Sequence, residues 1–313
     1  MRISRRSLVT SLACAAVAPA AAFSQTLRTI KAAGVPEDSA TPVLWAQQSG
    51  IFRRYGIDLQ LEKQRSGAAI VAGVLGGAYQ IGKSSLAALI VAHTKGLPLV
   101  CIAPCGLYDA ANPVIALLVK ADSPFRTGAD LNNKTVAVSS LNDVYTLATK
   151  AWVDQNGGNS STLKLVELPV TAVAEAVAIG RVDAAGCAMP ELQEALDGGK
   201  VRVLAHFYDA IAPRFLVQAW FTTIDYAKAN RAIVRGFAQG AREGAIYANA
   251  HHQQTVDVEA KFTGLDRGVI AKMTRFTYAT SLDPRDIQPL IDVSAKYKVI
   301  PAPFNARELI YTG

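Results

Sequence analysis

The sequence predicts an α/β protein of two similar lobes, and three observations carry that expectation. The first half of the chain repeats at a fixed offset of 104 residues. Within each copy, short apolar runs alternate with helix-length segments that end in glycine. The last third abandons this alternation for helices. Ala68–Gly82 falls on Ala172–Gly186, and Leu59 and Leu61 fall on Leu163 and Leu165 without a gap. Leu97–Ala103 falls on Val201–Phe207, and Val114–Val119 on Gln218–Thr223. Few identities are shared, so the signal is the spacing of apolar runs and glycines. Two copies this long are lobes rather than the units of an array, and two like lobes leave a cleft between them.

Each element follows from its own residues. In the first lobe Thr29–Ala33 reads as a strand and Pro42–Ser49 as a helix closed by Gly50. Leu59–Glu62 is a strand, Ala68–Leu75 a helix closed by Gly76, and Gln80–Gly82 a short strand. Leu86–Lys95 is a helix closed by Gly96, followed by the strand Leu97–Ala103. The second lobe repeats the series as Thr135–Val138, Val144–Gln155, Leu163–Leu168, Ala172–Ile179, Asp183–Gly186, Pro190–Leu196 and Val201–Ala205. Such alternation builds a mixed, mostly parallel sheet with helices on both faces. Ile115–Val119 and Ala219–Thr223 are placed to carry the chain between the lobes as a hinge. Tyr226–Ala250, Arg267–Tyr278 and Asp286–Lys296 then read as helices, and Pro301-Ala302-Pro303 breaks the end. The expected division is 1–25 as a leader, 26–117 as the first part of lobe one, 118–221 as lobe two, and 222–313 returning to lobe one.

The leader is recognised by Arg2, Arg5 and Arg6 ahead of the apolar run Leu8–Ala22, with Ala22-Phe23-Ser24 as small cleavage-site residues. Cleavage is expected near Ser24. Ser4-Arg5-Arg6-Ser7-Leu8 also resembles a twin-arginine export signal. The chain carries a formal charge of +7, and the leader's three arginines leave +4 for the remainder. That excess forms no basic stripe, so nucleic acid is not an expected partner. Three cysteines follow the leader, Cys101, Cys105 and Cys187, and buried free thiols are the expected state.

Gly77–Ser84 matches the phosphate-loop pattern G-x-x-x-x-G-K-S. An apolar helix precedes it, however, and Tyr79-Gln80-Ile81 reads as the strand itself. Nucleotide binding is therefore not expected. No G-x-S-x-G elbow, H-E-x-x-H pair or close Cys–His pairing occurs, so neither a catalytic set nor a metal or other cofactor is expected.

The ordered motifs resemble a known family. Pro42-Val43-Leu44-Trp45-Ala46-Gln47-Gln48-Ser49-Gly50-Ile51-Phe52, leading to Gly56-Ile57-Asp58-Leu59, looks like its opening helix and turn. Ser66-Gly67, Ala121–Phe125 with Ala129-Asp130-Leu131, Thr135–Val138 and Gly180–Ala184 complete the match. Together they resemble the nitrate/sulfonate/taurine-type and thiamine-precursor-type solute-binding proteins of bacterial ABC importers. The resemblance implies a type II-like periplasmic-binding-protein fold, a periplasmic monomer, a small-molecule solute and an ABC permease as partner. Where relatives carry a Trp-Asp/Glu-Pro-Tyr-like motif, this chain has Cys187-Ala188-Met189-Pro190-Glu191, so no subgroup's ligand is inherited. The alternative is an exported or repurposed enzyme on the same fold, of the pyrimidine-precursor or hydrolase/lyase kind.

Ligands of parallel α/β sheets bind beyond the strands' carboxyl ends, facing helix N-termini. That rule selects Ser39, Thr41, Ser66, Gly67, Lys83, Ser84 and Ser85 in lobe one. In lobe two it selects Ser139, Asp143, Tyr145, Thr171, Cys187 and Ala188. Phe207, Tyr208 and Trp220 are added as aromatics able to stack on a solute. Unpaired N–H groups at opposed helix starts favour a small organic anion, a sulfonate or carboxylate, aromatic ones included.

Overall fold

The structure is a computed structural model that describes residues 27–141 and 143–313. The leader lies outside the described residues. The first unit runs β1 (Arg28–Gly34), α1 (Thr41–Gln48), α2 (Ile51–Arg54), β2 (Ile57–Lys63), α3 (Gly67–Leu75), β3 (Ile81–Ser85), α4 (Leu86–Thr94) and β4 (Leu99–Pro104). A short strand β5 (Gly106–Asp109) then precedes β6 (Ile115–Lys120). The second unit is β7 (Thr135–Val138), α5 (Val144–Gln155), β8 (Lys164–Glu167), α6 (Val170–Ala178), β9 (Ala184–Ala188), α7 (Glu191–Asp197) and β10 (Val201–Ala205). It is followed by β11 (Arg214–Leu216) and β12 (Gln218–Thr223).

The two main sheets have the orders β2-β1-β3-β12-β4 and β8-β7-β9-β6-β10. Shifting the first unit by 104 residues turns one order into the other, provided β6 and β12 exchange places. The offset read from sequence is thus a structural repeat. Each sheet takes its antiparallel strand from the other half of the chain, since β6 pairs with β9 and β10, and β12 with β3 and β4. The other four strands of each sheet run in one direction. β6 reads Ile-Ala-Leu-Leu-Val before Lys120, and these five residues are buried. A strand covered on both faces needs such an unbroken apolar run.

The C-terminal third is α8 (Ile224–Ala229), α9 (Arg231–Ala250), α10 (His252–Thr263), α11 (Arg267–Lys272), β13 (Thr277–Tyr278) and α12 (Pro284–Lys296). Three details differ from the sequence expectation. Tyr226–Ala250 is not one helix, because Asn230 leaves helical geometry and bonds Tyr226 O. The helix expected over Arg267–Tyr278 stops at Lys272. β13 instead joins β5 and β11 in a small antiparallel sheet that the alternation did not announce.

α9 packs closely on the first lobe because Gly236, Gly240 and Gly244 recur every fourth residue. A Cβ at Gly236 would lie 2.9 Å from Tyr55 Cβ, one at Gly240 would meet the Phe52 ring, and one at Gly244 would overlap the Pro42 carbonyl. α12 touches both α4 and α5, and Tyr297 Oη donates to Asp154 Oδ2 at 2.8 Å. One continuous core cluster runs from Leu86 and Ile90 of α4 through Tyr108, Tyr208 and Phe215 to Leu147 and Ala151 of α5.

Candidate ligand-binding cleft

The loop after β1 brings Glu37 to the carboxyl edge of the first sheet. Lys83, on the adjacent β3, is 1% exposed, and its Nζ donates to Glu37 Oε2 at 2.9 Å and to Ser39 Oγ at 2.7 Å. Gln218, at the start of β12, donates from Nε2 to the same carboxylate oxygen at 2.5 Å. The Glu37 side chain stays 41% exposed. Burial alone would raise its pKa, but the Lys83 charge and hydrogen bonds from Lys83, Gln218 and Ser39 hold it below the usual carboxylate range.

Lys83 therefore does not offer a free positive charge. A lysine selected at the cleft edge has the charge to neutralise an anion, but the structure gives that ammonium to Glu37, because a lysine this buried needs a counter-charge close at hand. Ser39 is 1% exposed and is occupied beneath the pair.

Ser84, the next residue, points to the opposite face of β3. Among the described residues its Oγ is buried without a partner, and it lies 2.7 Å from where a Cβ on Gly67 would be. The absence of a side chain at Gly67 lets this hydroxyl reach the first turn of α3. Ser66 caps α3 by accepting from Ala69 N, and Ser85 caps α4 by accepting from Ala88 N. Both serines therefore perform an ordinary helix-capping role.

The second lobe contributes Asp143, the N-cap of α5, which accepts from Thr146 N at 3.0 Å and from the Ser139 hydroxyl. Burial pushes the Asp143 carboxyl up to about 6, against hydrogen bonds from Ser139 and backbone amides. Tyr145 lies on Gly186 of β9, where a Cβ would come 2.5 Å from its ring. It forms an edge contact with Tyr208, the ring centroids 5.8 Å apart. Burial, then the Asp143 charge and more weakly Glu37, push the Tyr145 phenol well above its ordinary value. Glu37 also acts on Tyr208 and on Glu191, whose carboxyl is raised first by burial. The Glu37 charge thus acts weakly on three lobe-two groups.

Several expected site residues lie elsewhere. Thr41 is fully buried; its hydroxyl donates to Glu259 Oε2 and accepts from Arg275 Nη2 at 3.0 Å. It serves the Asp38–Arg275–Glu259 ion network instead of a ligand, and Ala40 holds the α1 cap position. Trp220 is 1% exposed and packs edge-on against Phe237, in the core under α9. Phe207 is likewise fully buried. Thr171 is exposed inside α6, whose cap position is Pro169. Cys187 is a buried free thiol raised by burial to about 12, and Cys101 and Cys105 are also free and buried. Ala188 follows Cys187 at the end of β9 and is half-buried.

Glu37, Gln218 and Glu191 were not selected from the sequence. Glu37 lies two residues before the chosen helix start. Gln218 is a polar residue opening an apolar hinge strand, and that misfit was the available signal. Of two surface hollows, one of about 590 Å³ lies beside Arg28–Lys31 and Tyr226, and one of about 390 Å³ beside Asn249, Arg275 and Phe276. Among the described residues no group of His, Cys, Asp or Glu is arranged to hold a metal, and no helix is long and apolar enough to cross a membrane.

The fold resembles several solved proteins. The periplasmic aliphatic sulphonate binding protein SsuA of Escherichia coli matches over 91% of this chain and 92% of its own, with a TM-score of 0.75 at 20% identity. The alkanesulfonate-binding SsuA of Xanthomonas axonopodis pv. citri, bound to MOPS, matches over 90% and 98%, with a TM-score of 0.72 at 16% identity. The periplasmic nitrate-binding protein NrtA of Synechocystis PCC 6803 matches over 90% and 84%, with a TM-score of 0.71 at 12% identity. No curated protein matches the chain significantly. The family model described as NMT1/THI5 like matches residues 38–255, more than half of the sequence, and the chain belongs to that NMT1/THI5-like family.

Proposed function

We propose that the chain is the exported solute-binding component of an ABC importer, a monomer that closes two lobes on a small organic anion and passes it to a permease unchanged. The observation that carries this reading is the strand exchange. β6 and β12 each leave one half to complete the other half's sheet, so two connections and the small sheet join the lobes as a hinge. Lobe one would comprise 26–117 with 222–313, and lobe two 118–221. Fold neighbours that bind sulfonates and nitrate support the solute class. The acid group would sit at the start of α3, on Ser66, Gly67 and the unpartnered Ser84 hydroxyl, because Lys83 is already neutralised. The solute would meet aromatic surface on lobe two at Tyr145.

Thermal-shift screening of the mature protein against sulfonates, carboxylates and nitrate, with mass analysis of the recovered solute, tests the reading. A solute that raises the melting temperature and returns intact is the expected outcome. Consumption of the solute, or no response to any of the three classes, overturns it.

A further inference from the structure

The first sheet has a gap at the end remote from the candidate cleft. β3 starts at Ile81 and pairs with β1 only from Ala32 onward, so Arg28–Lys31 run past it. β12, on the other side of β3, ends at Thr223 and turns into α8. The hollow of about 590 Å³ occupies this gap, with Arg28, Thr29 and Lys31 on one wall and Tyr226 on the other. About 20 Å of strand separates it from the loop that carries Glu37.

The gap is rich in donors. Arg28 N donates to Gly56 O on the β2 side, whereas Lys31 N and O are both bonded to Gln80 on the opposite side. Backbone groups alternate in direction along a strand, so the Thr29 N–H, two residues before Lys31, also faces the gap. No described residue accepts from it. Side chains alternate as well. Arg28 shares a face with Ile30, packed among α9 residues, and Lys31 shares one with Ala33, packed against α3. A group seated in the gap therefore meets a guanidinium from one face of the sheet and an ammonium from the other. Both cations are exposed, and among the described residues neither is in an ion pair. The lining carries no carboxylate, and the Arg28 charge reaches the Tyr226 phenol, against the upward push of burial. Two cations held in one hollow repel each other until a ligand neutralises both.

We propose that this hollow is a second anion site, separate from the cleft, that takes a doubly charged phosphate group as the free ion or as a monoester. The Arg28 guanidinium would grip two of its oxygens, Lys31 would supply the second counter-charge, and the Thr29 N–H would hold a third oxygen. A carboxylate or sulfonate brings a single charge and leaves one cation unmatched. The site shares no residue with the candidate cleft and does not depend on the solute-binding reading.

Calorimetric titration of the mature protein at low salt, with inorganic phosphate, glycerol 1-phosphate and acetate, tests the site. One of the phosphates should bind at least about tenfold more tightly than acetate. The tighter of the two identifies the source as free ion or ester. Arg28→Gln with Lys31→Gln should weaken phosphate at least about tenfold and leave the melting temperature in place, because both positions are exposed. In isotope-labelled wild type the Thr29 amide resonance should shift as phosphate is added, a readout that needs no variant. Phosphate affinity that survives the double variant, or a Thr29 amide that stays still, places the anion elsewhere and overturns the site. So does the absence of phosphate binding, or acetate binding equally well. Each of these failures leaves the solute-binding reading untouched.

Discussion

Lys83 is the residue whose environment most changes its meaning. A lysine at a cleft edge suggests anion capture, yet burial obliges it to pair, and Glu37 is the partner. Replacing Lys83 with Met should strand Glu37 near the hydrogen bonds that remain. Because that carboxylate is partly exposed, the expected loss is about 2 kcal/mol, measured by urea denaturation. Adding Glu37→Gln to that variant should recover part of the loss. A double variant no more stable than Lys83→Met would show that the pair contributes no coupling. Glu259 makes the second residue-scale prediction. It is fully buried, and burial, then the neighbouring Asp38 charge, raise its carboxyl to about 8 against the opposing Arg275. A raised folded-state value means protonation favours the native state. The stabilisation is complete below the unfolded value near 4.5 and is lost as pH rises toward about 8. Glu259→Gln should flatten the decline of melting temperature across that window; an unchanged slope refutes the assignment.

At the scale of elements, α5 and α9 make opposite demands on sequence. α5 begins at Asp143, a good cap and a poor neighbour for an anion. Asp143→Asn keeps the cap and removes the charge, so it should lift the loss of stability that ionising Asp143 imposes as pH rises through about 6, and reduce the weakening of anion binding between about pH 5 and 7. Asp143→Ala removes the cap and should cost about 1 kcal/mol at a pH above that window. Titrations of both variants at pH 5 and pH 8 separate the effects, and identical pH profiles for wild type and Asp143→Asn would contradict the charge argument. α9 depends on its glycines. Gly244→Ala would press a methyl into the Pro42 carbonyl, a backbone atom that no rotamer change moves aside. The expected cost is about 3 kcal/mol. A melting temperature equal to wild type would mean that α1 and α9 can separate freely.

The whole molecule joins its two main sheets through a shared core cluster. The cluster joining α4, the small sheet and α5 passes through the hinge, and α12 rests on both lobes. Such shared packing predicts a single cooperative unfolding transition in scanning calorimetry, since neither lobe can expose its inner face alone. Two resolved transitions would show that the cluster does not couple the halves. Closure belongs to this scale as well. If the proposed closure turns the lobes about β6 and β12, saturating solute should contract the particle in solution scattering.

Spacing alone determined the larger plan. The offset of 104 residues, the glycine-closed helices and the apolar runs announced two related sheets and the two crossing strands, because burial on both faces imposes the same pattern on each copy. The same pattern placed the candidate site at one edge of those sheets, and Ser66, Ser85 and Asp143 do begin their helices there. Local pattern could not assign partners. Thr41 and Trp220 carry the right chemistry for a ligand, but α10 engages the first from 218 residues away in sequence and α9 covers the second. Glu37, Lys83 and Gln218 come from three separate segments that meet only when β12 crosses back beside β3. Whether Lys83 offers its charge or has already given it up depends on that meeting. Electrostatics acts through space, so the tertiary structure alone decided it.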